Sequence, residues 1–296
     1  MTTQRTTGIL SMIAASTVWG LSSLLYHALR HVPATEVLAH RTLWSLVLFA
    51  AVLVWQRRMA ALPQSLRGPH LRRIVLAALL VSLNWGVFIW AVQHGHAVEA
   101  SLGYYIYPLI AVVLGVVLFR ERLAPLQQAA AALAGAAVVL LTWGLGAGPW
   151  ISLTLAATFA AYGALKKALP LDPVLSVAAE VAVLTPLALL WLALAHLDGG
   201  GTGGHFGTDA WTSLLLILCG PVTAVPLILF AQASRTVEMA SVGLIGYLNP
   251  TLQAFCAVAL FGEPFTRWHG IAFALIWTAL AIYSVSAHGQ RAARRA

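Results

Sequence analysis

The fold class predicted is an all-α membrane protein of ten transmembrane helices, arranged as two inverted five-helix repeats with both termini cytoplasmic. Three observations predict it. Hydrophobic residues make up 60% of the chain and charged residues 9%, a balance that suits lipid, not water, as the main solvent. A helix needs about 20 residues to cross a bilayer, so 296 residues with short loops hold about ten spans and no further soluble domain. One stretch also has an echo. Glu99 to Glu121 reads EASLGYYIYPLIAVVLGVVLFRE, and Glu238 to Glu263 reads EMASVGLIGYLNPTLQAFCAVALFGE. Pro108 and Pro250 each stand thirteen residues before the closing Glu121 and Glu263, and Leu118-Phe119 matches Leu260-Phe261.

The spans follow in order. The first, 8–29, carries Trp19-Gly20 and no small-residue cleavage site, so it is read as retained and not as a signal peptide. The second, 36–55, follows Pro33 and contains His40 and Arg41. The third, 73–92, has Asn84 and Trp85 at its middle. In the fourth, 98–119, Ser101, Tyr104, Tyr105 and Pro108 fall at i, i+3, i+4 and i+7, a spacing that predicts one helical face. A polar, aromatic face on an apolar span looks into protein and not at lipid. Spans five (125–144) and six (149–167) follow, the latter with Tyr162-Gly163; span seven, 174–196, comes after Pro173 and holds Glu180. Span eight, 210–231, contains Thr223 and Pro226. In span nine, 238–261, Gly246, Asn249, Pro250 and Gln253 repeat the i, i+3, i+4, i+7 pattern, and span ten covers 267–286. A β-barrel is excluded because the apolar runs are far longer than a ten-residue alternating strand.

Lys and Arg set the orientation. With the N-terminus inside, the inner segments hold fourteen basic residues: Arg5, Arg57, Arg58, Arg67, Arg72, Arg73, Arg120, Arg122, Lys166, Lys167, Arg235, Arg291, Arg294 and Arg295. The outer segments hold Arg30 and Arg267, and Arg41 lies within a span. The net charge of +8 therefore orients the chain and meets anionic headgroups. It does not form a nucleic-acid surface.

The halves, residues 1–145 and 149–290, hold five spans each. An odd number inserts the second half upside down, and inverted repeats build a site near the midplane between them. Trp19-Gly20 corresponds to Tyr162-Gly163, and Pro33 to Pro173. Arg41 lies eight residues after Pro33 and Glu180 seven after Pro173. Each buried charge costs about 2.5–3.5 kcal/mol at a span centre, so each must face protein or water. Arg41 lies about 8 Å deep from outside and Glu180 about 9 Å deep from inside. That leaves about 13 Å of depth between them in a core of about 30 Å. They are therefore expected not to pair. The expected partners are Glu36 or Glu99 for Arg41, and Lys166 or Lys167 for Glu180. His40, Arg41 and Glu180 are read as gating or coupling residues, with structural pinning of spans two and seven as the alternative.

The predicted solute-contacting residues are Trp19, Asn84, Trp85, Tyr104, Tyr105, Tyr107, Tyr162, Thr223, Asn249 and Gln253, which supply rings, hydroxyls and amides on facing helices. Pro108, Pro226 and Pro250 are expected to break their helices and free carbonyls for a ligand or water. Trp55 and Trp143 stand near span ends, where interfacial anchors belong. No metal or other cofactor is expected. His94 and His96 flank a glycine at a helix end without further ligands, and Cys219 and Cys256 lie inside apolar spans. The run Gly199–Gly204 lacks the Lys-Ser/Thr pair of a phosphate loop and is read as a linker. There is no nucleophile elbow, HExxH or catalytic carboxylate pair, so an enzyme is not predicted.

The run WAVQHGHAVEASLGYYIYPLIAVVLGVVLFRERL resembles spans three to four of RarD-type proteins in the drug/metabolite transporter (EamA) superfamily. TVWGL, EVLAHRTLWS, FAAYGALKK and LFGEPF agree with it in spans one, two, six and nine, so the resemblance covers nearly the whole chain. It implies a two-repeat transporter in the bacterial inner membrane, with a cavity lined by spans 1, 3, 4, 6, 8 and 9. It also implies export of small metabolites or drugs. The expected function is alternating-access transport of amino-acid-like, aromatic or amphipathic solutes, with spans 3, 4, 8 and 9 rocking against the rest. The partners would be the solute, the bilayer and a coupling proton taken up by Glu180. The alternatives are an exchanger or importer of the same fold, a non-transporting sensor, or a lipid-handling protein.

Overall fold

The computed structural model describes residues 2–119, 125–145, 149–167, 169–197, 204–236, 242 and 245–295. Arg120, Glu121, Arg122, Glu238 and residues 198–203 of the outer loop lie outside the described residues, as do the side chains of Lys167 and Arg235. Among the described residues the chain is helical and has no strand.

The helices are α1 (Thr2–Ala28), α2 (Ala34–Trp55), α3 (Ala61–Arg67), α4 (Leu71–Gln93), α5 (Ala97–Phe119) and α6 (Pro125–Leu145). They continue with α7 (Trp150–Lys167), α8 (Pro173–Leu197), α9 (Ala210–Thr236), α10 (Leu248–Phe255) and α11 (Arg267–Arg295). By length and apolarity α1, α2, α4, α6, α8 and α9 suffice to cross a membrane. The short α3 was not expected, and α1, α9 and α11 extend several residues beyond their predicted polar limits. Charged residues at helix ends do not stop a helix; they only end its apolar stretch.

The outer surface of the bundle is greasy. Leu76, Leu79 and Leu83 form an exposed stripe on α4, and Leu187, Leu190 and Leu194 form another on α8. Asn84 and Glu180, on the same two helices, are buried. Apolar groups outside and polar groups inside mark a multi-pass membrane protein.

Two expected breaks do not occur. α5 runs helical through Pro108, and α9 runs through both Pro221 and Pro226. A proline removes one main-chain donor, and neighbouring helices can hold the rod together across that gap. Pro250 differs: it is the third residue of α10, just after a turn at Tyr247, where a proline is well tolerated. α10 then loosens into a π-helical turn over Cys256–Leu260.

The packing is paired. α5 lies along α7 and α10, α1 along α9 and α10, α2 along α8 and α9, α4 along α7 and α8, and α6 along α11. Exchanging α1, α2, α4, α5 and α6 with α7, α8, α9, α10 and α11 in order maps this set onto itself. α5 on α7 becomes α10 on α1, and α2 on α9 becomes α8 on α4; the pairs α2–α8, α5–α10 and α6–α11 map onto themselves. Small residues permit the close approaches. Ala130, Ala134 and Ala137 of α6 meet Ala272, Ile276 and Ala279 of α11. A β-carbon on Gly103 would stand 2.9 Å from both the Ser152 carbonyl oxygen and the Leu155 Cβ of α7.

One carboxylate ties the two echoing spans together. Glu263, in the loop after α10, accepts the backbone N–H groups of Ala97 and Val98, each at 2.8 Å. These are orphan donors at the start of α5, where the helix dipole also favours a negative charge. Burial holds the Glu263 carboxyl above the usual carboxylate range, against the opposing pull of those two bonds.

Candidate solute site

Two buried charges, Arg41 of α2 and Glu180 of α8, organise this part of the interior. Arg41 of α2 is 5% exposed. Its guanidinium donates to the Tyr26 hydroxyl of α1 at 2.7 Å and lies 4.0 Å from the centre of the Trp85 ring of α4. The second contact is a cation–π interaction, strongest where water is excluded. Its Nε has no partner. Glu180 of α8 accepts from Lys166 Nζ at 2.6 Å and from the Tyr162 hydroxyl at 2.9 Å, both on α7, and from Ser176 at 3.2 Å. Lys166 also donates to Ser176. At each charge, then, a tyrosine hydroxyl from the preceding helix, Tyr26 of α1 or Tyr162 of α7, meets the charged group. Arg41 and Glu180 have separate partner sets, as the depth estimate required.

The expected partner of Glu180 is found, and that of Arg41 is not. Glu36 is fully buried but is taken by the loop between α8 and α9: it accepts the His205 backbone N–H at 2.6 Å and meets His205 Nδ1 at 2.8 Å. Five residues separate Glu36 from Arg41, and on a helix that turns them to different sides. Glu99 instead faces His96 at 3.3 Å. His40 stacks on Phe206 of the same loop with ring centres 4.9 Å apart, and Trp44 approaches Phe206 at 6.1 Å. Glu36, His40 and Trp44 therefore form a latch over the end of the bundle predicted to face outward.

Beside Arg41 a polar knot joins α4, α5 and α7. The Asn84 amide donates to the Leu155 carbonyl at 2.9 Å and to Thr158 at 3.0 Å, and accepts from the Tyr104 hydroxyl at 2.9 Å. Tyr104 packs edge-on against Phe88 and Phe159.

The remaining predicted residues are dispersed. Tyr105 turns away from Tyr104, because successive residues point about 100° apart on a helix, so the single face expected for them is divided. Its hydroxyl meets Thr251 at 2.6 Å, and its ring stacks on Tyr247. There it borders a cavity of about 370 Å³ between α5, α10 and α11, lined mainly by Phe255, Phe265, Phe273 and Trp277. Tyr107 and Tyr162 both pack on Phe159. Gln253 donates to Asn249 at 2.9 Å, and its own Oε1 is orphaned. Trp19 lies against Phe230. The Thr223 hydroxyl bonds the Cys219 carbonyl one turn earlier on α9. Tyr26, Phe159 and His205 were missed from sequence. Tyr26 has the signature of an interfacial aromatic, and only its place seven residues after Trp19 hints at a shared face.

The latch makes a prediction. Glu36→Ala removes a charge-assisted contact worth about 1.5–3 kcal/mol, which should raise the open population at least about tenfold. Labelling of the buried Cys219 by a membrane-impermeant maleimide, applied from the outer side in a Cys256→Ala background, should rise accordingly. His205→Ala leaves the backbone N–H contact in place and should give a smaller rise.

A helical bundle with greasy flanks and a polar, aromatic interior defines a multi-pass membrane protein, and comparison with known proteins gives its class. The EamA-like transporter family matches residues 6–143. An uncharacterized transporter of Pseudomonas aeruginosa is 43% identical over 284 residues, covering 93% of this chain and 92% of its own. Protein RarD of Streptomyces exfoliatus is 41% identical over 295 residues, covering 99% and 92%. Protein RarD of Escherichia coli is 35% identical over 282 residues, covering 95% and 94%. A crystal structure with 18% identity shares the fold, with a TM-score of 0.62, covering 94% of this chain and 97% of its own. The chain belongs to the EamA-like transporter family, in its RarD-type branch, and is a transporter, not an enzyme.

Proposed function

We propose that the protein is a secondary transporter of the bacterial inner membrane that exports small metabolites or drugs by alternating access. The ten-span, two-repeat reading is supported by the broadest helix contacts, which survive an exchange of the halves. The observation that carries the mechanism is the placement of the two charges. Arg41 and Glu180 sit on corresponding spans, each held by a tyrosine, and each lies toward a different end of the bundle. Such an arrangement supplies two quasi-equivalent gates.

In this reading the Glu36–His205 latch opens in one half of the cycle and the Glu180–Lys166 pair in the other. The solute contacts Trp85, Tyr104 and Arg41, and Glu180 takes up the coupling proton from the cytoplasm. Protonation would release Lys166 and Tyr162 together, which is how a proton could unlock the inner gate.

Counterflow of amino acids and aromatic metabolites in proteoliposomes tests the reading. Uptake of at least one solute should depend on the protein and should accelerate under an imposed pH gradient. Indifference to the gradient would remove the proton from the scheme, and absence of flux for every solute would remove transport itself.

A further inference from the structure

The geometry points to Arg41 as an anion receptor, so that the solute taken at this site carries a single carboxylate. The inference rests on the transporter reading above. A guanidinium removed from water is costly unless a counter-charge completes it. Among the described residues no carboxylate forms an ion pair with Arg41, and the acid of its own helix, Glu36, is engaged by His205. What Arg41 does have is a neutral hydroxyl, Tyr26, and the face of Trp85.

A second group waits beside it. Ser45 lies one turn further along α2, is fully buried, and its hydroxyl has no partner. The i, i+4 spacing puts Arg41 and Ser45 on one face, about 6 Å apart along the axis. Arg41 Nε and the Ser45 hydroxyl are thus unsatisfied donors on the same side of the same helix. A carboxylate can accept from both.

The surroundings narrow the class. The half-buried cation Lys166 is already paired with Glu180, so one positive charge serves the site. That matches a monoanion and not a phosphate ester. The rings of Trp85, Tyr26, Phe88 and Tyr104 gather on this side, which favours a flat or aromatic body. The class is a small aromatic or hydrophobic monocarboxylate.

The test measures thermal unfolding and binding of the purified full-length protein in neutral detergent, with benzoate, its uncharged isostere benzamide, and phosphatidylglycerol as probes. Benzoate should raise the melting temperature of the wild type and benzamide should not. Arg41→Met should melt at or above the ligand-free wild type, since a lone buried charge has been removed. It should also bind benzoate at least about tenfold more weakly. A structural pin would show the reverse, a lower melting temperature, and that result overturns the inference. So does an equal response to benzoate and benzamide, no response to benzoate, an undiminished response in Arg41→Met, or a response to phosphatidylglycerol alone. Ser45→Ala is a second, independent arm: weaker benzoate binding supports the site, and unchanged binding overturns it. Benzoate binding through Arg41 without counterflow of any solute would leave the receptor standing and remove the transporter reading.

Discussion

Glu180→Ala is expected to destabilise the protein by about 3 kcal/mol, the lower end of the range for breaking a buried ion pair because Lys166 keeps partial contact with solvent. The Glu180 side chain is 1% exposed and that of Lys166 22%. Removing the carboxylate strands the ammonium with Ser176 as its remaining bonded partner and leaves the Tyr162 hydroxyl without its acceptor. Replacing both charges, as in Lys166→Met with Glu180→Met, should recover most of the loss, because a well-packed apolar pair avoids the desolvation of two ions. Thermal unfolding of the three variants in detergent checks this. A double variant no more stable than Glu180→Ala would mean that the carboxylate acts through other partners. If Glu180 also couples the proton, the stable double variant should still lose acceleration by a pH gradient. That separates coupling from pinning.

Gly220→Ala should be the most disruptive single methyl among the described glycines. A β-carbon there would stand 2.6 Å from the carbonyl carbon of Trp44 and 2.7 Å from its oxygen. Main chain cannot swing aside as a long side chain can, so α9 and α2 would have to part along one of the bundle's broadest contacts. Over-packing costs about 1–3 kcal/mol where side chains can adjust, and more where they cannot, so about 3 kcal/mol or more is expected here. The readout is the yield of monodisperse protein after detergent extraction. Gly135→Ala is the control: nothing lies within 4 Å of its added carbon, and alanine is the better helix former by about 1 kcal/mol. It should be neutral or slightly stabilising.

Helix positions were legible because lipid demands long apolar runs, and their limits fall within a few residues for α2, α4, α5, α6, α7 and α8. The short α3 was not legible, since seven residues of mixed polarity carry no span signal. Within the interior, the sequence showed which residues were out of place in lipid but not where each pointed. Arg41 and Glu180 were recognisable as charges that need company, and a depth estimate was enough to keep them apart. It could not reveal that Glu36 had been claimed by His205, which is 169 residues away in the chain. Tyr104 and Tyr105 show the same gap: adjacency in sequence says nothing of the neighbours each will meet across two different helix seams.

The grip of Glu263 on the first turn of α5 has a mechanical consequence. The segment just after the π turn that follows α10 and the first turn of α5 behave as one strut, because sliding them apart would strip two main-chain donors of their acceptor at once. Any hinge in the working cycle must then lie elsewhere along those rods. The loosened π turn over Cys256–Leu260, a few residues before the clamp, is where bending demands the least.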